Sequence, residues 1–302
     1  MSQKATPAMV KELREKSSAG MMDCVKALNA CNCDIEEAMK WLRENGIAKA
    51  EKKAGNTAAE GLCNAIVNGN EILTYELNCQ TDFVAQNTIF IELLEKIGAA
   101  LIASSASNDE EALKVVIDGK PISEILLEAT ASGLGEKISL RRVQRSSKKD
   151  GESYGVYKHQ GGRIVSVITV EGNGNETVAR DVALHVAASN PKFISREQVN
   201  QDVLAKEREI ILNEAMNENA QSAKPKPENI VEKMVEGRVN KYLQETCLVD
   251  QEFIKDPNLK VGQFVKNSNT TIVNMVRVEV GEGIEKEVVD FAAEVAAQVN
   301  AA

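Results

Sequence analysis

At 302 residues, with 43% hydrophobic and 27% charged side chains, the chain has the composition of an ordinary folded protein and is long enough for two or more modules. A net charge of −9 excludes a broad nucleic-acid surface, which needs clustered lysine and arginine to displace counterions. No apolar run approaches the roughly 20 residues of a membrane helix, and Met1-Ser2-Gln3-Lys4-Ala5-Thr6-Pro7 has neither a secretory apolar core nor a transit-peptide arginine bias, so a cytoplasmic location is expected.

Residues 6–46 read as a bundle of three short helices. Thr6 is the N-cap of the first, with Pro7 at its first helical position and Met9, Val10 and Leu13 turned inward. Ser17-Ser18-Ala19-Gly20 breaks the chain, and a second helix carries Met21, Met22, Val25 and Leu28. Asp34 and Glu37 form a capping box for a third, with Ile35, Met39 and Leu42 inside and Gly46 at its end. So small a bundle has little core, and its apolar faces are also available to a partner. A lysine-bearing linker, 48–55, is predicted to be mobile or loosely helical.

From residue 61 the period changes. Strands at 62–67 and 72–77 flank Asn68-Gly69-Asn70, a hairpin signal because Asn-Gly tolerates the positive φ of a tight turn. The second strand runs out into Asn78-Cys79-Gln80-Thr81-Asp82-Phe83-Val84, which places a carboxylate and a phenyl group at a chain reversal. One reading makes Asp82 the cap of the next helix and Phe83 its staple. The other makes the pair a charge and an aromatic wedge presented to a partner protein. A helix is predicted over 88–104 and a strand over 137–143. The order then recurs: a hairpin from 153 to 170 around His159-Gln160-Gly161-Gly162, a helix over 176–189, a strand over 271–280 and a helix over 284–299. Two related halves result, each a small antiparallel sheet covered by helices, with strand 137–143 between them.

Residues 196–246 lack strand signals. Val203, Ile210, Ile211 and Ala215 lie near one stripe, and Val231, Val235, Val239 and Tyr242 near another. Lys224-Pro225-Lys226-Pro227 cannot continue a helix, so two antiparallel helices are expected, either as a solvated insertion or as a second docking surface. The last helix sets Val288, Phe291, Ala292, Val295 and Val299 on one side, for its own core or for another helix. The whole is an α+β chain: a helical domain over 1–56, a first core half over 57–147, a second over 148–194 and 248–281, a helical hairpin over 195–247 and a C-terminal module over 282–302.

Catalytic chemistry is missing from the pattern. Gly119-Lys120-Pro121 lacks the upstream glycine and hydroxyl of a phosphate loop, and Gly281-Glu282-Gly283 is a lone glycine pair. His185 sits in an alanine-rich helical face and reads as a satisfied buried imidazole. Cys24, Cys31, Cys33, Cys63, Cys79 and Cys247 show no disulfide framework. No second CxxC or nearby histidine completes a tetrahedral site, so neither metal nor cofactor is expected.

An ordered set of motifs carries a resemblance. Val10-Lys11-Glu12-Leu13-Arg14, Ala19-Gly20-Met21-Met22-Asp23-Cys24, Thr81-Asp82-Phe83-Val84-Ala85 and Ile138-Ser139-Leu140-Arg141-Arg142-Val143 open it. Gly162-Arg163-Ile164, His185-Val186-Ala187-Ala188-Ser189, Lys233-Met234-Val235-Glu236-Gly237-Arg238 and Val280-Gly281-Glu282-Gly283-Ile284-Glu285-Lys286 complete it. Across almost its whole length the chain resembles the elongation factor Ts family, the guanine-nucleotide exchange factors of elongation factor Tu. The resemblance implies a ubiquitin-associated-type bundle at the N-terminus, a coiled-coil hairpin, and exchange without covalent chemistry. It implies that Asp82 and Phe83, with Thr81 and Val84, press on the Tu GTPase domain and disturb its magnesium and phosphate site. Leu134, Gly135 and His159 match family contact positions. Met21, Met22, Lys26 and Phe291 would be secondary contacts, since the N-terminal bundle and the final helix dock on the same GTPase domain, while the second core half reaches another Tu domain. The partner the resemblance implies is Tu in its GDP-bound and nucleotide-free forms, with no nucleic acid, membrane or small-molecule substrate expected. Many relatives carry two lysines after Met-Met-Asp-Cys; here Val25 precedes Lys26. Two other classes stay open: an adaptor binding through residues 1–55 alone, and an enzyme with a cleft near His159.

Overall fold

The computed structural model describes residues 4–17, 19–222 and 224–285. They fall into two units. One takes in the chain up to Ser147, Gly161–Arg163 and the segment from Val278; the other takes in Lys148–Gln160 and Ile164–Arg277.

The first unit begins with α1 (Pro7–Ser17), α2 (Met21–Ala30) and α3 (Ile35–Lys53). The Met9 N–H donates to Thr6 Oγ1 at 3.4 Å and the Glu37 N–H to Asp34 Oδ1 at 2.8 Å, while the Asp34 N–H donates to the Cys31 carbonyl, so only half of the expected capping box forms. Leu13, Cys24, Ala27, Leu28 and Ala38 form the buried centre. Met21 and Met22 stand out at 58% and 67% exposed. Gly46 does not end α3, which runs on through the lysine-bearing stretch to Lys53. The glycine is buried, and a Cβ there would lie 3.0 Å from the Ala131 methyl, so close packing rather than termination requires it.

The first sheet follows from the Asn-Gly hairpin. Strands β1 (Glu60–Asn68) and β2 (Glu71–Cys79) pair antiparallel around Gly69, whose φ is 58°. After β2 come α4 (Asp82–Ala85), α5 (Thr88–Ala103), α6 (Asp109–Lys114), the two-residue strands β3 (Val116–Ile117) and β4 (Lys120–Pro121), α7 (Ile122–Glu128) and a π-helical turn (Ala129–Gly133). Strand β5 (Ser139–Ser147) then pairs with β2, giving the order β1-β2-β5. The strand predicted over 137–143 thus begins two residues later than expected and pairs within the first sheet. Leu73, Tyr75 and Leu77 of β2 pack on Phe90, Leu94, Ile97 and Leu101 of α5 with Ile122 and Leu126 of α7.

The opposite face of β2 is polar and equally buried. Glu76 is wholly inaccessible, 3.3 Å from Arg141 Nε and 3.7 Å from Arg142 Nη1. Its Oε1 accepts from Asn78 Nδ2 at 2.6 Å and from the Gly281 N–H at 2.7 Å. A buried carboxylate needs such partners, because desolvation would otherwise outweigh its attractions. Arg142 reaches them from a left-handed backbone (φ 57°) at a bulge, where the register with β2 shifts between Thr74 and Glu76. From there it also donates to the Glu279 carbonyl at 3.0 Å and pairs with Glu282 at 2.8 Å. The Arg-Arg motif therefore ties the segment after 278 to the first sheet.

The second unit repeats the hairpin, with β6 (Glu152–His159) and β7 (Ile164–Glu171), covered by α8 (Glu176–Ser189). Helices α9 (Gln201–Gln221) and α10 (Glu228–Thr246) pack through Ile211 and Ala215 on Val231, Val235 and Val239. Val203 and Ile210, expected in that seam, are 43% and 52% exposed. The turn between the helices is closed by Asn219, whose Oδ1 accepts the Lys226 N–H at 2.7 Å. Strands β8 (Glu252–Phe253) and β9 (Asp256–Lys260), helix α11 (Val261–Asn267) and strand β10 (Ile272–Glu279) are the last elements among the described residues, and the second sheet runs β10-β7-β6. Ile168, Val170, Val182, Val186, Phe253 and Val265 lie in its core. The helix predicted over 284–299, with Phe291, lies outside the described residues beyond 285.

Candidate partner-docking site

The site is built where β2 stops. Thr81 takes an extended backbone (φ −125°, ψ 153°) and its Oγ1 accepts the Val84 N–H at 3.4 Å, so Thr81 caps α4. The reading in which Asp82 caps the helix and Phe83 staples it does not hold: Asp82 is the first helical residue, and it is exposed. A single helical turn divides its side chains, with Val84 half-buried and Ala85 buried against the core while Phe83 is 83% exposed. Leaving a phenyl group in water forgoes roughly 1.5–3 kcal/mol of burial, which the fold of this chain alone does not explain.

The base of this spur is held by a second stretch of chain. Glu136 Oε2 accepts the N–H groups of Gln80 at 3.0 Å and Thr81 at 2.9 Å, and Oε1 accepts the Thr81 hydroxyl at 2.7 Å. Gln80 Oε1 accepts the Lys137 N–H at 3.0 Å and Asn56 Nδ2 at 3.2 Å. Lys53 Nζ donates to the Gly135 carbonyl. Leu134 and Gly135 therefore stand beside Thr81–Val84, with Leu134 packed on the same core and exposed Gly135 at φ 70°. A shallow cleft of about 430 Å³ is lined by Glu60, Gln80, Thr81, Asp82, Phe83 and Arg163, with Arg163 paired to Glu60 at 2.8 Å. Ile89, at the start of α5 and 47% exposed, adds apolar surface near Gly133.

The other predicted contacts are dispersed. Met21, Met22 and Lys26 occupy the outer side of α2. His159 ends β6 in the second unit, half-buried, with the Tyr157 hydroxyl 3.4 Å from its Nδ1. Sequence reasoning gave no site role to Gln80, although it adjoins Thr81, nor to Glu136, Glu60, Arg163 and Ile89, the first three of which folding brings to the site from distant stretches of chain.

His185 is the buried imidazole expected. The Ile254 N–H donates to its Nδ1 at 3.2 Å, so its proton lies on Nε2, 2.8 Å from Gln251 Oε1. Burial holds its pKa below the ordinary 6.5. Between the folded value and 6.5 the unfolded chain binds the proton more readily. Stability is therefore complete above 6.5 and declines as pH falls below it, by at most about 1.4 kcal/mol per unit. Urea unfolding at pH 7.5 and 5.5 is expected to show a lower midpoint at pH 5.5, and His185→Gln should remove that part of the difference. An equal loss in the variant would assign the pH dependence elsewhere.

All six cysteines are buried and none forms a disulfide, and burial raises the thiol pKa of Cys31, Cys63, Cys79 and Cys247, that of Cys79 to about 12. Among the described residues no cluster of three His, Cys, Asp or Glu side chains is placed to hold a metal. No helix among them is long and apolar enough to cross a membrane.

Comparison with known proteins supplies the remaining finding. The family model described as "Elongation factor TS" matches residues 80–282. A relative from Acholeplasma laidlawii (strain PG-8A), named "Elongation factor Ts", is 52% identical over 296 residues, covering 98% of this chain and 99% of its own length.

Proposed function

The chain belongs to the elongation factor Ts family, and we propose that it frees GDP from elongation factor Tu by pressing Asp82 and Phe83 into the partner's GTPase domain. Membership makes it a nucleotide exchange factor of translation elongation, not an enzyme, with Tu as its partner. The mechanism is then one of competing binding energies, in which the spur disturbs the magnesium and phosphate site of Tu. One observation carries this reading: Phe83 is 83% exposed at the tip of a turn whose neighbours are pinned.

Thr81, Val84, Leu134 and Gly135 form the surface around the wedge, and His159 is a separate contact from the second unit. Met21, Met22 and Lys26, with Phe291, supply secondary docking. The N-terminal bundle acts as a ubiquitin-associated-type module and the 195–247 hairpin as a coiled coil, and the protein works in the cytoplasm on GDP-bound and nucleotide-free Tu.

Magnitudes require this spread of contacts. Weakening a bound nucleotide a thousandfold takes about 4 kcal/mol. Burying one phenyl returns roughly 1.5–3 kcal/mol, so the other surfaces supply the remainder. The coupling is reciprocal: whatever loosens nucleotide is itself displaced by nucleotide. Immobilised Tu is therefore expected to retain the chain when nucleotide-free and to release it on addition of excess GDP. Retention unaffected by GDP would contradict the exchange mechanism.

A further inference from the structure

We propose that Glu136 is the positioning residue for exchange: its carboxylate sets the direction in which Asp82 and Phe83 project. The inference rests on the reading of Phe83 as the wedge. Helix α4 has only four residues, too few to hold its own direction by internal hydrogen bonds. Its cap is long at 3.4 Å. The orientation of the spur must then be imposed from outside the turn, by the packing of Val84 and Ala85 on the core and by bonds to Gln80 and Thr81, three of which converge on one group.

Glu136 takes the two N–H groups that immediately precede the turn, at 3.0 and 2.9 Å, and the Thr81 hydroxyl at 2.7 Å. The last bond has a second effect. With its proton committed to Glu136, the Thr81 oxygen turns a lone pair toward the Val84 N–H, so carboxylate and cap act in series. Bonds to an ionised acceptor are among the stronger kinds, and three on one side chain leave the Gln80–Thr81 backbone little freedom. Glu136 also follows Leu134 and Gly135 directly in the chain. The same carboxylate thereby fixes the distance between the spur and that neighbouring contact surface. One oxygen of the carboxylate receives both backbone N–H groups and the other receives the hydroxyl.

The test uses the full chain with Glu136→Ala and Glu136→Gln, following release of labelled GDP from Tu over a range of factor concentrations, with thermal unfolding alongside. Glu136→Ala is expected to lower the maximal release rate about tenfold while the half-saturating concentration moves less than about threefold. Glu136→Gln should recover most of the rate, because the amide oxygen still accepts the backbone N–H groups. A wild-type maximal rate for Glu136→Ala overturns the proposal, as does a change confined to half-saturation or no recovery in a folded Glu136→Gln. If Glu136→Ala fails to fold, Thr81→Val, which removes the hydroxyl bond to Glu136 together with the cap on the Val84 N–H, must itself lower the maximal rate or the proposal falls. Phe83→Ala measured in parallel separates the two levels. A slow Phe83→Ala beside a normal Glu136→Ala removes only the positioning role, whereas normal rates for both remove the wedge as well.

Discussion

Phe83→Ala is expected to slow GDP release from elongation factor Tu by about ten- to a hundredfold, the kinetic equivalent of the roughly 1.5–3 kcal/mol that a buried phenyl group returns. Its unfolding midpoint should equal that of the parent chain, because a side chain 83% exposed contributes almost nothing to the core. The neighbours divide differently. Ala85 is buried and Val84 packs on the Leu73–Tyr75–Leu77 core, so truncating or enlarging either would disturb stability as well as exchange. Position 83 is thus where function can be removed without touching the fold. Stopped-flow release of labelled GDP, with urea unfolding of the same preparation, decides the matter. A wild-type rate would remove Phe83 from the mechanism, and a lowered midpoint would mean that its role is structural.

The pair Asp82 and Phe83 stood out in the sequence at a strand end, but cap-and-staple and exposed wedge were both open there, and only the Thr81 cap and the exposure of Phe83 separate them. The support of the spur was not legible, since Glu136 lies 55 residues from Thr81 and only the antiparallel return of β5 beside β2 brings them together. The hairpins were readable from Asn68-Gly69 and from the turn around Gly161, where only a few residue types tolerate positive φ. The stretch from Asp109 to Gly133 was not, because two-residue strands and helices of six or seven residues are too short to repeat their period twice. Gly46 misled for a related reason. A glycine late in a helix resembles a stop signal, and only the approach of Ala131 reveals its purpose. Val203 and Ile210 show the limit of periodicity itself. The α9 seam is one stripe wide, and apolar residues beside it remain in water.

Gly155→Ala is expected to produce the opposite result to Phe83→Ala, with the fold lost first. Glycine is unfavourable inside a strand, having no side chain to pack and more backbone freedom to lose, so its presence in the middle of β6 requires a reason. Helix α8 crosses at this point: a Cβ on Gly155 would lie 2.1 Å from the Ala179 carbonyl carbon and 2.1 Å from the Arg180 nitrogen. Both are backbone atoms in the middle of a helix, and neither can swing aside as a side chain can. The strand and helix must separate, opening the layer that holds Ile168, Val170, Val182, Ala183 and Val186. A loss of about 3 kcal/mol or more is expected, at the upper end of overpacking, and a large share of the 5–15 kcal/mol available to a typical domain. Urea unfolding should show it directly, and GDP release should fall only in proportion to the folded fraction. The matched control is Gly237→Ala in α10, where an added Cβ meets nothing within 4 Å and helix propensity favours alanine by about 0.5–1 kcal/mol. Equal stability of the two variants would show that β6 and α8 are not in the close contact on which the second core depends.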